Sequence, residues 1–158
     1  MQQNNLKKEV MKMTYKVEEL KDYLKKHGIR PSTIRLKILQ YLLENRIHPT
    51  AEDIYKSLVN DIPTLSKTSV YNTLDLFLEK GVVNTLSLKE KELRYDINTY
   101  LHGHFKCEVC GKVYDFPVTD KILEVNELEG FTIKSIDINA YGICKKCNEK
   151  IKNNKEEE

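Results

Sequence analysis

The sequence predicts an α+β chain of two domains, a helical N-terminal half that ends in a β-hairpin and a smaller, strand-rich C-terminal half. Apolar residues recur at helical spacing up to residue 80, and short strand-like runs follow. Two Cys-x-x-Cys pairs lie in the C-terminal half. We expect domains over residues 14–97 and 104–150, a hinge at 98–103, a flexible extension at 1–13 and a disordered tail at 151–158.

The composition is typical of a globular protein, with 40% hydrophobic and 32% charged residues. No apolar run approaches the ~20 residues needed to cross a bilayer, so we expect no membrane partner. The first residues lack the apolar segment of a secretory signal, and we expect a cytoplasmic protein. In the cytosol, paired cysteines more often bind metal than form disulfides.

The charge is unevenly distributed along the chain. Residues 1–90 carry 15 Lys and Arg against 11 Asp and Glu, whereas residues 91–158 carry 11 against 13. A basic first half suits a nucleic-acid partner, although an excess of this size is modest evidence by itself.

Four helices are expected in the first half, because apolar residues repeat at i, i+3 and i+4 between recognisable start and stop signals. Ser32, Thr50 and Ser66 are placed to cap the second, third and fourth helices, and Thr50 with Asp53 forms a capping-box pattern. Gly28 and Gly81 end the first and the fourth helix. The expected spans are 17–27, 32–44, 50–58 and 67–80.

Two strand-like runs, Val82–Leu88 and Leu93–Ile97, flank a charged turn and predict a hairpin. Helices followed by a hairpin are typical of a winged-helix DNA-binding domain. Residues 50–81 could also be two ordinary core helices, but groups suited to base edges and phosphates cluster at the start of the fourth helix. The candidate DNA-binding residues are Lys67, Thr68, Ser69, Tyr71 and Asn72.

The second half is predicted to be a small α/β domain. Strands are expected over Val113–Phe116 and residues 131–138, with a short helix over residues 121–128 between them.

The four cysteines give the strongest chemical signal in the sequence. Cys107 and Cys110 form one Cys-x-x-Cys pair, Cys144 and Cys147 form another, and 33 residues separate the two pairs. Four thiolates are enough for a closed tetrahedral zinc site. A dithiol redox pair and structural disulfides are the alternatives, and zinc is favoured over both.

A second set of possible ligands carries imidazole and carboxylate groups. His102 and His104 form a His-x-His pair, whose rings share one face if the segment is a strand. Asp96 and Asp115 could complete a set that suits iron, manganese or zinc. His48 is also a candidate, although taken singly it is an ordinary loop residue before the third helix.

Several short motifs occur in the order found in the ferric uptake regulator (Fur) family. They are HPTAEDIY at 48–55, TSVYNTL at 68–74, RYD at 94–96, HGH at 102–104, CEVCGK at 107–112 and CKKC at 144–147. The chain resembles this family from about residue 17 to 150, and within it most resembles the peroxide-sensing PerR branch.

The resemblance implies a homodimeric, metal-dependent transcriptional repressor whose C-terminal domain dimerises and whose recognition helices bind a palindromic double-stranded DNA operator. It also implies a structural zinc on the four cysteines and a regulatory iron or manganese on three histidines and two aspartates. The regulatory ligands fall on His48, Asp96, His102, His104 and Asp115. In the peroxide sensors that the chain resembles, bound Fe(II) and hydrogen peroxide oxidise a ligand histidine, at the positions of His48 and His102 here, and the repressor leaves DNA.

Two alternative functions remain open at this point. The first is a repressor of the same family that responds to the level of iron or manganese. The second is a non-haem metalloenzyme, because sets of histidine and aspartate also build catalytic sites. Five protein ligands leave at most one open coordination position, and no separate acid/base pair is visible, so we expect that the chain is not an enzyme.

Overall fold

Four helices and most of a two-stranded hairpin form the first of two structural units, whereas the last residue of the first hairpin strand and the hairpin turn belong to the second unit. The computed structural model describes residues 15–119 and 128–156. The first unit comprises the described chain up to Thr85 together with Glu92–Thr99. Its elements are α1 (Val17–Lys26), α2 (Thr33–Glu44), α3 (Ala51–Leu58), α4 (Lys67–Glu79), β1 (Asn84–Leu86) and β2 (Arg94–Asp96).

The start of each of the last three helices is fixed by a side-chain cap. The hydroxyls of Ser32, Thr50 and Ser66 accept hydrogen bonds from backbone N–H groups in the first turns of α2, α3 and α4. The Thr50 N–H in turn donates to the Asp53 carboxylate at 2.9 Å, which completes the capping box. These three predicted caps are therefore confirmed.

The apolar faces of the four helices meet in one core. In α4, Val70, Leu74 and Phe77 are fully buried, whereas Asn72 and Asp75 on the other face are exposed. The predicted helical stripe is confirmed, and it leaves the polar side of α4 on the surface. The other buried members of this core include Leu20, Leu24, Ile38, Leu39, Leu42, Ile54 and Leu58.

A three-stranded sheet and a helix form the second unit, which comprises Leu86–Lys91 and the chain from Tyr100 onward. The central strand β3 (Gly103–Cys107) pairs antiparallel with β4 (Val113–Phe116) and parallel with β5 (Ile138–Gly142). Helix α5 (Lys145–Glu156) follows β5 directly.

The described structure differs from the sequence prediction at the strand expected over residues 131–138. Only Ile138 belongs to a strand, and residues 131–137 have no regular secondary structure. Phe131, Ile133 and Ile136 are exposed. Alternating apolar residues suggested a strand, but a strand also needs a partner for its backbone, and in the described residues pairing with β3 starts at Ile138.

The C-terminal tail was also predicted wrongly, because α5 continues as a helix through Glu156. Its first turn forms at the second cysteine pair, where the Asn148 N–H donates to the Cys144 carbonyl at 2.9 Å. Lysine and glutamate are good helix formers, so the polar composition that suggested disorder also favours extension of this helix. The predicted extension at 1–13 and the helix expected at 121–128, except for Leu128, lie outside the described residues.

The division between the units differs from the predicted domain boundary at the hairpin turn. The prediction placed Leu86–Lys91 in the first domain, but this segment belongs to the second unit. The Lys106 ammonium group explains the difference, since it contacts the Glu90 carboxylate at 2.6 Å and the Leu88 carbonyl at 3.2 Å. In addition, the Lys89 ammonium lies 4.2 Å from the centre of the Tyr141 ring.

Across the described part of the chain, every helix is too short or too polar to span a bilayer.

Replacement of Leu74 by Ala should destabilise the first unit by about 2–5 kcal/mol, because it leaves a cavity at a fully buried position. Its neighbour Asp75 is exposed on the same helix, so Asp75→Ala is the matched control and should stay within about 0.5 kcal/mol of the parent chain. Urea unfolding followed by helical circular dichroism measures both. Equal stability of the two variants would contradict the assigned core face.

Candidate metal centres and nucleic-acid interface

The four cysteine sulfurs converge in the second unit, where all lie within 4.8 Å of one another. Cys107 ends β3, Cys110 lies in the following turn, and Cys144 and Cys147 lie at the start of α5. Three are buried and Cys110 is exposed, and none forms a disulfide in the structure. Four convergent thiol groups fit a tetrahedral thiolate site for zinc.

Backbone geometry holds the first cysteine pair in place. The Gly111 N–H donates to the Cys107 carbonyl, and the Cys107 N–H donates to the Lys112 carbonyl, each at 2.9 Å. Gly111 has a φ of 70°, which a glycine adopts without the steric penalty of a side chain. The Cys144 N–H donates to the Cys107 sulfur at 3.3 Å and so links the two pairs.

The cysteine cluster favours a mixture of charged and protonated thiols. Backbone N–H groups, with that of Cys110 foremost, lower the pKa of the Cys107 thiol to about 6. The backbone N–H of Cys147, followed by the Tyr114 hydroxyl, lowers the pKa of Cys144. Hydrogen bonding to the Cys144 sulfur then raises the pKa of Cys147 to about 12. Four thiolates therefore require a neutralising cation, as a zinc site provides.

Tyr114 is a neighbour of the cysteine cluster that the sequence analysis missed. Its hydrogen bond to the Cys144 sulfur raises the pKa of the Tyr114 hydroxyl to about 12, so the phenol stays protonated and donates to the thiolate. Such donors around a metal ligand orient it and tune its basicity. The residue lies 30 positions before Cys144 on another strand, and no local sequence signal indicates the contact.

His102, His104 and Asp115 also meet in the second unit. The antiparallel pairing of β3 with β4 places His104 directly opposite Asp115. The Nε2 atoms of His102 and His104 lie 3.6 and 3.7 Å from Asp115 Oδ1, and both imidazole side chains are buried. These three residues present two imidazoles and one carboxylate to a common point.

A backbone contact sets the tautomer of His102. Its Nδ1 lies 2.7 Å from the Tyr100 carbonyl oxygen, which can only accept, so Nδ1 carries a hydrogen. In the neutral ring Nε2 then has its lone pair directed at the Asp115 oxygen. The His102 nitrogen and the Asp115 oxygen lie 3.6 Å apart, and a donor set of two imidazoles and one carboxylate fits iron, manganese or zinc.

Gly103 separates the two histidines for a steric reason. An added Cβ would lie 2.2 Å from the tip of the Phe116 ring, which packs over this glycine from the paired strand. The ring covers β3 at Gly103, which lies between the two histidines in the sequence. A side chain between His102 and His104 would displace Phe116, which is the neighbour of Asp115.

His48 and Asp96 meet in the first unit. The His48 Nε2 lies 3.8 Å from Asp96 Oδ2, and each side chain is only 4% exposed. The other carboxylate oxygen of Asp96 accepts from the Asn98 N–H at 2.8 Å, which fixes its orientation. A buried imidazole and carboxylate are the remaining two of the five predicted regulatory ligands.

The predicted DNA-binding residues lie on the outer side of the first turns of α4. Lys67, Thr68 and Asn72 are exposed, and Tyr71 is 46% exposed. Ser69 differs, because it is half-buried and its hydroxyl lies 2.6 Å from that of the capping Ser66. The hydroxyl of Ser69 therefore serves the helix start.

Lys67 has two partners on α3 that the sequence analysis did not identify. Its ammonium lies 2.7 Å from the Glu52 carboxylate and 5.5 Å from the centre of the Tyr55 ring. Hydrogen bonding to Glu52 raises the pKa of Lys67, so the lysine remains a cation. Glu52 and Tyr55 belong to the HPTAEDIY motif, which is the one signal that could have suggested a role for them.

Comparison with known proteins identifies the family. The model of the ferric uptake regulator family matches residues 26–141. The chain belongs to the ferric uptake regulator family. It is 35% identical to the peroxide-responsive repressor PerR of Staphylococcus aureus strain Mu50 in an alignment of 149 positions that covers 90% of this chain and 98% of that protein.

Solved structures of Fur proteins share the fold. The ferric uptake regulator of Francisella tularensis, determined with iron, superposes with a TM-score of 0.65 at 26% identity over 77% of this chain and 96% of that one. The Pseudomonas aeruginosa protein, determined with manganese, gives 0.63 at 26% identity over 78% and 96%. The predicted α+β fold class is confirmed by these relatives.

Members of the Fur family are transcription regulators and not enzymes. This relation confirms the prediction that the chain is not an enzyme and excludes the metalloenzyme alternative. The histidine and aspartate sets are therefore candidates for metal binding rather than for catalysis.

Replacement of Cys107 by Ser should remove one zinc ion per chain and unfold the second unit, because a structural metal contributes directly to folding. Val109→Ser is the matched control, since Val109 lies between the same two cysteines and is 58% exposed. Elemental analysis and titration of accessible thiols on the folded proteins measure the effect. Purified parent chain without zinc, or with four freely titratable thiols, would contradict the assignment.

Proposed function

We propose that this protein is a dimeric, metal-dependent repressor that senses hydrogen peroxide through oxidation of a ligand histidine and then releases its operator DNA. The convergence of His102, His104 and Asp115 on one point carries the proposal, since this donor set suits a redox-active divalent metal. Similarity to a peroxide-responsive repressor over 90% of the chain supports the choice of signal.

In this proposal the cysteine cluster holds a structural zinc. Cys107, Cys110, Cys144 and Cys147 would bind it as thiolates, with the Tyr114 hydroxyl and the Cys144 N–H as hydrogen-bond donors to the sulfurs. Zinc-bound thiolates are masked, so the cysteines are not the primary peroxide sensor. Their role is to complete the second unit.

The regulatory metal, Fe(II) or Mn(II), is proposed to be held by His48 and Asp96 of the first unit with His102, His104 and Asp115 of the second. When iron is bound it supplies the reduction of peroxide that leads to histidine oxidation. His48 and His102 are the proposed targets. Oxidation of either ring removes a nitrogen ligand and weakens metal binding, and the metal-dependent repressor then leaves its operator.

For DNA binding, the proposal assigns base and phosphate contacts to the exposed start of α4. Tyr71 and Asn72 offer groups that reach base edges, while Lys67 and Thr68 are suited to phosphates. Ser69 contributes less than the sequence suggested, because its hydroxyl contacts Ser66. A homodimer would place two such helices on a palindromic operator.

The second candidate function is a repressor that responds to the level of iron or manganese. The similarity to Fur proteins determined with iron and with manganese favours this alternative. The two functions share the fold, the metal sites and the DNA interface. They differ in whether peroxide oxidises and inactivates the iron-loaded protein.

The iron-loaded protein, given micromolar peroxide, should gain one oxygen atom on His48 or His102 and lose operator DNA. The manganese-loaded protein should keep its mass and its DNA, because Mn(II) is far less prone to this chemistry. Peptide mass spectrometry and a DNA-retention assay on the same samples provide the readouts. Intact histidines and retained DNA after the peroxide pulse would establish the metal-level sensor instead.

A conservative change at Asp115 provides the matched variant for this experiment. Asp115→Glu keeps the carboxylate but lengthens it by one methylene, which changes how the ligand set meets iron. We expect this variant to bind metal and DNA and to oxidise more slowly. If the variant is oxidised at the parent rate, Asp115 does not control how fast the iron-loaded protein reacts with peroxide.

Replacement of Asn72 by Ala should cost about 1–3 kcal/mol of discrimination at one base position if the amide contacts a base edge. Tyr71→Ala tests the neighbouring ring in the same way. Fluorescence anisotropy with a set of singly substituted operators gives the position affected. If both variants fold and bind the operator with unchanged affinity, α4 does not recognise the DNA sequence.

Lys67 provides the electrostatic counterpart of that test. Lys67→Gln should weaken binding to all sequences alike and reduce the salt slope by about 1. Lys80→Gln, at the opposite end of the helix and also exposed, is the control and should leave the slope unchanged.

A further inference from the structure

We propose that Arg94 is a positioning residue for the regulatory metal, because its guanidinium holds the backbone of His48 in the conformation that directs this ligand at Asp96. The inference rests on the proposed function, since it concerns a residue behind one of the proposed ligands. It assigns a role to a side chain that cannot itself bind a metal cation.

The decisive contact joins residues 46 positions apart. The Arg94 Nη1 donates to the His48 carbonyl oxygen at 3.1 Å, in a part-buried position. A guanidinium donor is permanently charged, so this hydrogen bond is stronger than one between two neutral groups. Arg94 thus fixes the peptide unit of the ligand and leaves the imidazole untouched.

The conformation of His48 explains why such a contact is needed. Its φ is 53°, in the left-handed region that residues with a side chain seldom adopt. A strained backbone persists only where surrounding contacts enforce it, and such positions cluster at binding sites. Without a partner for its carbonyl, the segment before α3 would relax towards an ordinary conformation and carry the ring with it.

Strand β2 holds this segment at consecutive positions. The Tyr95 N–H donates to the Pro49 carbonyl at 2.9 Å, and Arg94 forms an isolated β-bridge with Thr50, the cap of α3. The Arg94 contact extends this pairing by one residue, to His48. The ligand is therefore anchored to the strand and to the helix start at once.

The same strand also carries the second ligand of this pair. Arg94 and Asp96 are two positions apart, so their side chains leave the same face of β2. One contacts the His48 backbone, and the other lies 3.8 Å from the His48 ring. A short strand thereby sets both the direction of the imidazole and the position of the carboxylate that faces it.

Calorimetric titration of the zinc-loaded full chain with Mn(II) tests the inference. Arg94→Gln should weaken Mn(II) binding by about 10–100-fold, the usual effect of losing a group that orients a metal ligand. Arg94→Lys retains one donor and should recover part of the affinity. Arg46→Gln removes the same charge two residues before His48, where the side chain is exposed and makes a long, 3.4 Å hydrogen bond to the Asn98 side chain. Asp96 is oriented by the Asn98 backbone N–H, which this change keeps, so the variant should bind Mn(II) like the parent.

A second readout separates positioning from general stability. In protein that carries zinc but no Mn(II), the backbone chemical shifts of His48 report its φ. They should move in Arg94→Gln but not in Arg46→Gln, while the zinc content stays unchanged. Parent-like Mn(II) affinity and His48 shifts in Arg94→Gln would overturn the inference. His48→Ala is the reference for the proposed function, and if it bound Mn(II) like the parent, the metal assignment itself would fail.

The parent protein provides a test that does not depend on the folding of any variant. A guanidinium hydrogen-bonded to a part-buried carbonyl rotates slowly and exchanges its protons slowly. Arg46 should rotate and exchange faster, because its hydrogen bond to the Asn98 side chain is exposed and longer, at 3.4 Å. Nitrogen-15 spectra of the arginine side chains distinguish the two. Equally free rotation of Arg94 and Arg46 would overturn the inference even if Arg94→Gln failed to fold.

Discussion

The pairing of β3 with strands on both of its edges is the constraint on which the second unit depends. The antiparallel register sets His104 opposite Asp115, and the parallel register sets Cys107 opposite Gly142, just before the second cysteine pair. A slip by one residue would turn every side chain of the strand to the other face. The imidazole–carboxylate set and the thiol cluster are therefore built by the same hydrogen-bond ladder, and Phe116 over Gly103 helps to exclude other registers.

The two units position their proposed metal ligands by different physical means. In the second unit regular strand pairing brings His104 and Asp115 together. In the first unit His48 lies in a loop with a left-handed backbone, and its position depends on individual contacts with β2. Loop ligands held in this way are easier to displace than ligands on a paired strand.

Much of the fold could be predicted from local sequence patterns. The helices were found because caps such as Thr50 and stripes such as Val70, Leu74 and Phe77 are encoded within a few residues. The strand expected at 131–137 failed because alternation does not supply a pairing partner, and the tail failed because composition alone does not separate an exposed helix from disorder. The ligand types were visible in the sequence, but the link from Arg94 to His48 depends on tertiary structure across 46 residues.

The parallel pairing of β3 with β5 has a consequence for the order in which the chain folds. Gly103 must find Ile138, 35 positions later, and the two cysteine pairs are similarly distant, so closure of the second unit is entropically slow. The first unit relies largely on neighbouring helices, which form contacts early. When metal is scarce, the first unit of a new chain would fold while the second unit remains unfolded. Newly made protein would then accumulate as a partly folded species, exposed to proteases until metal arrives.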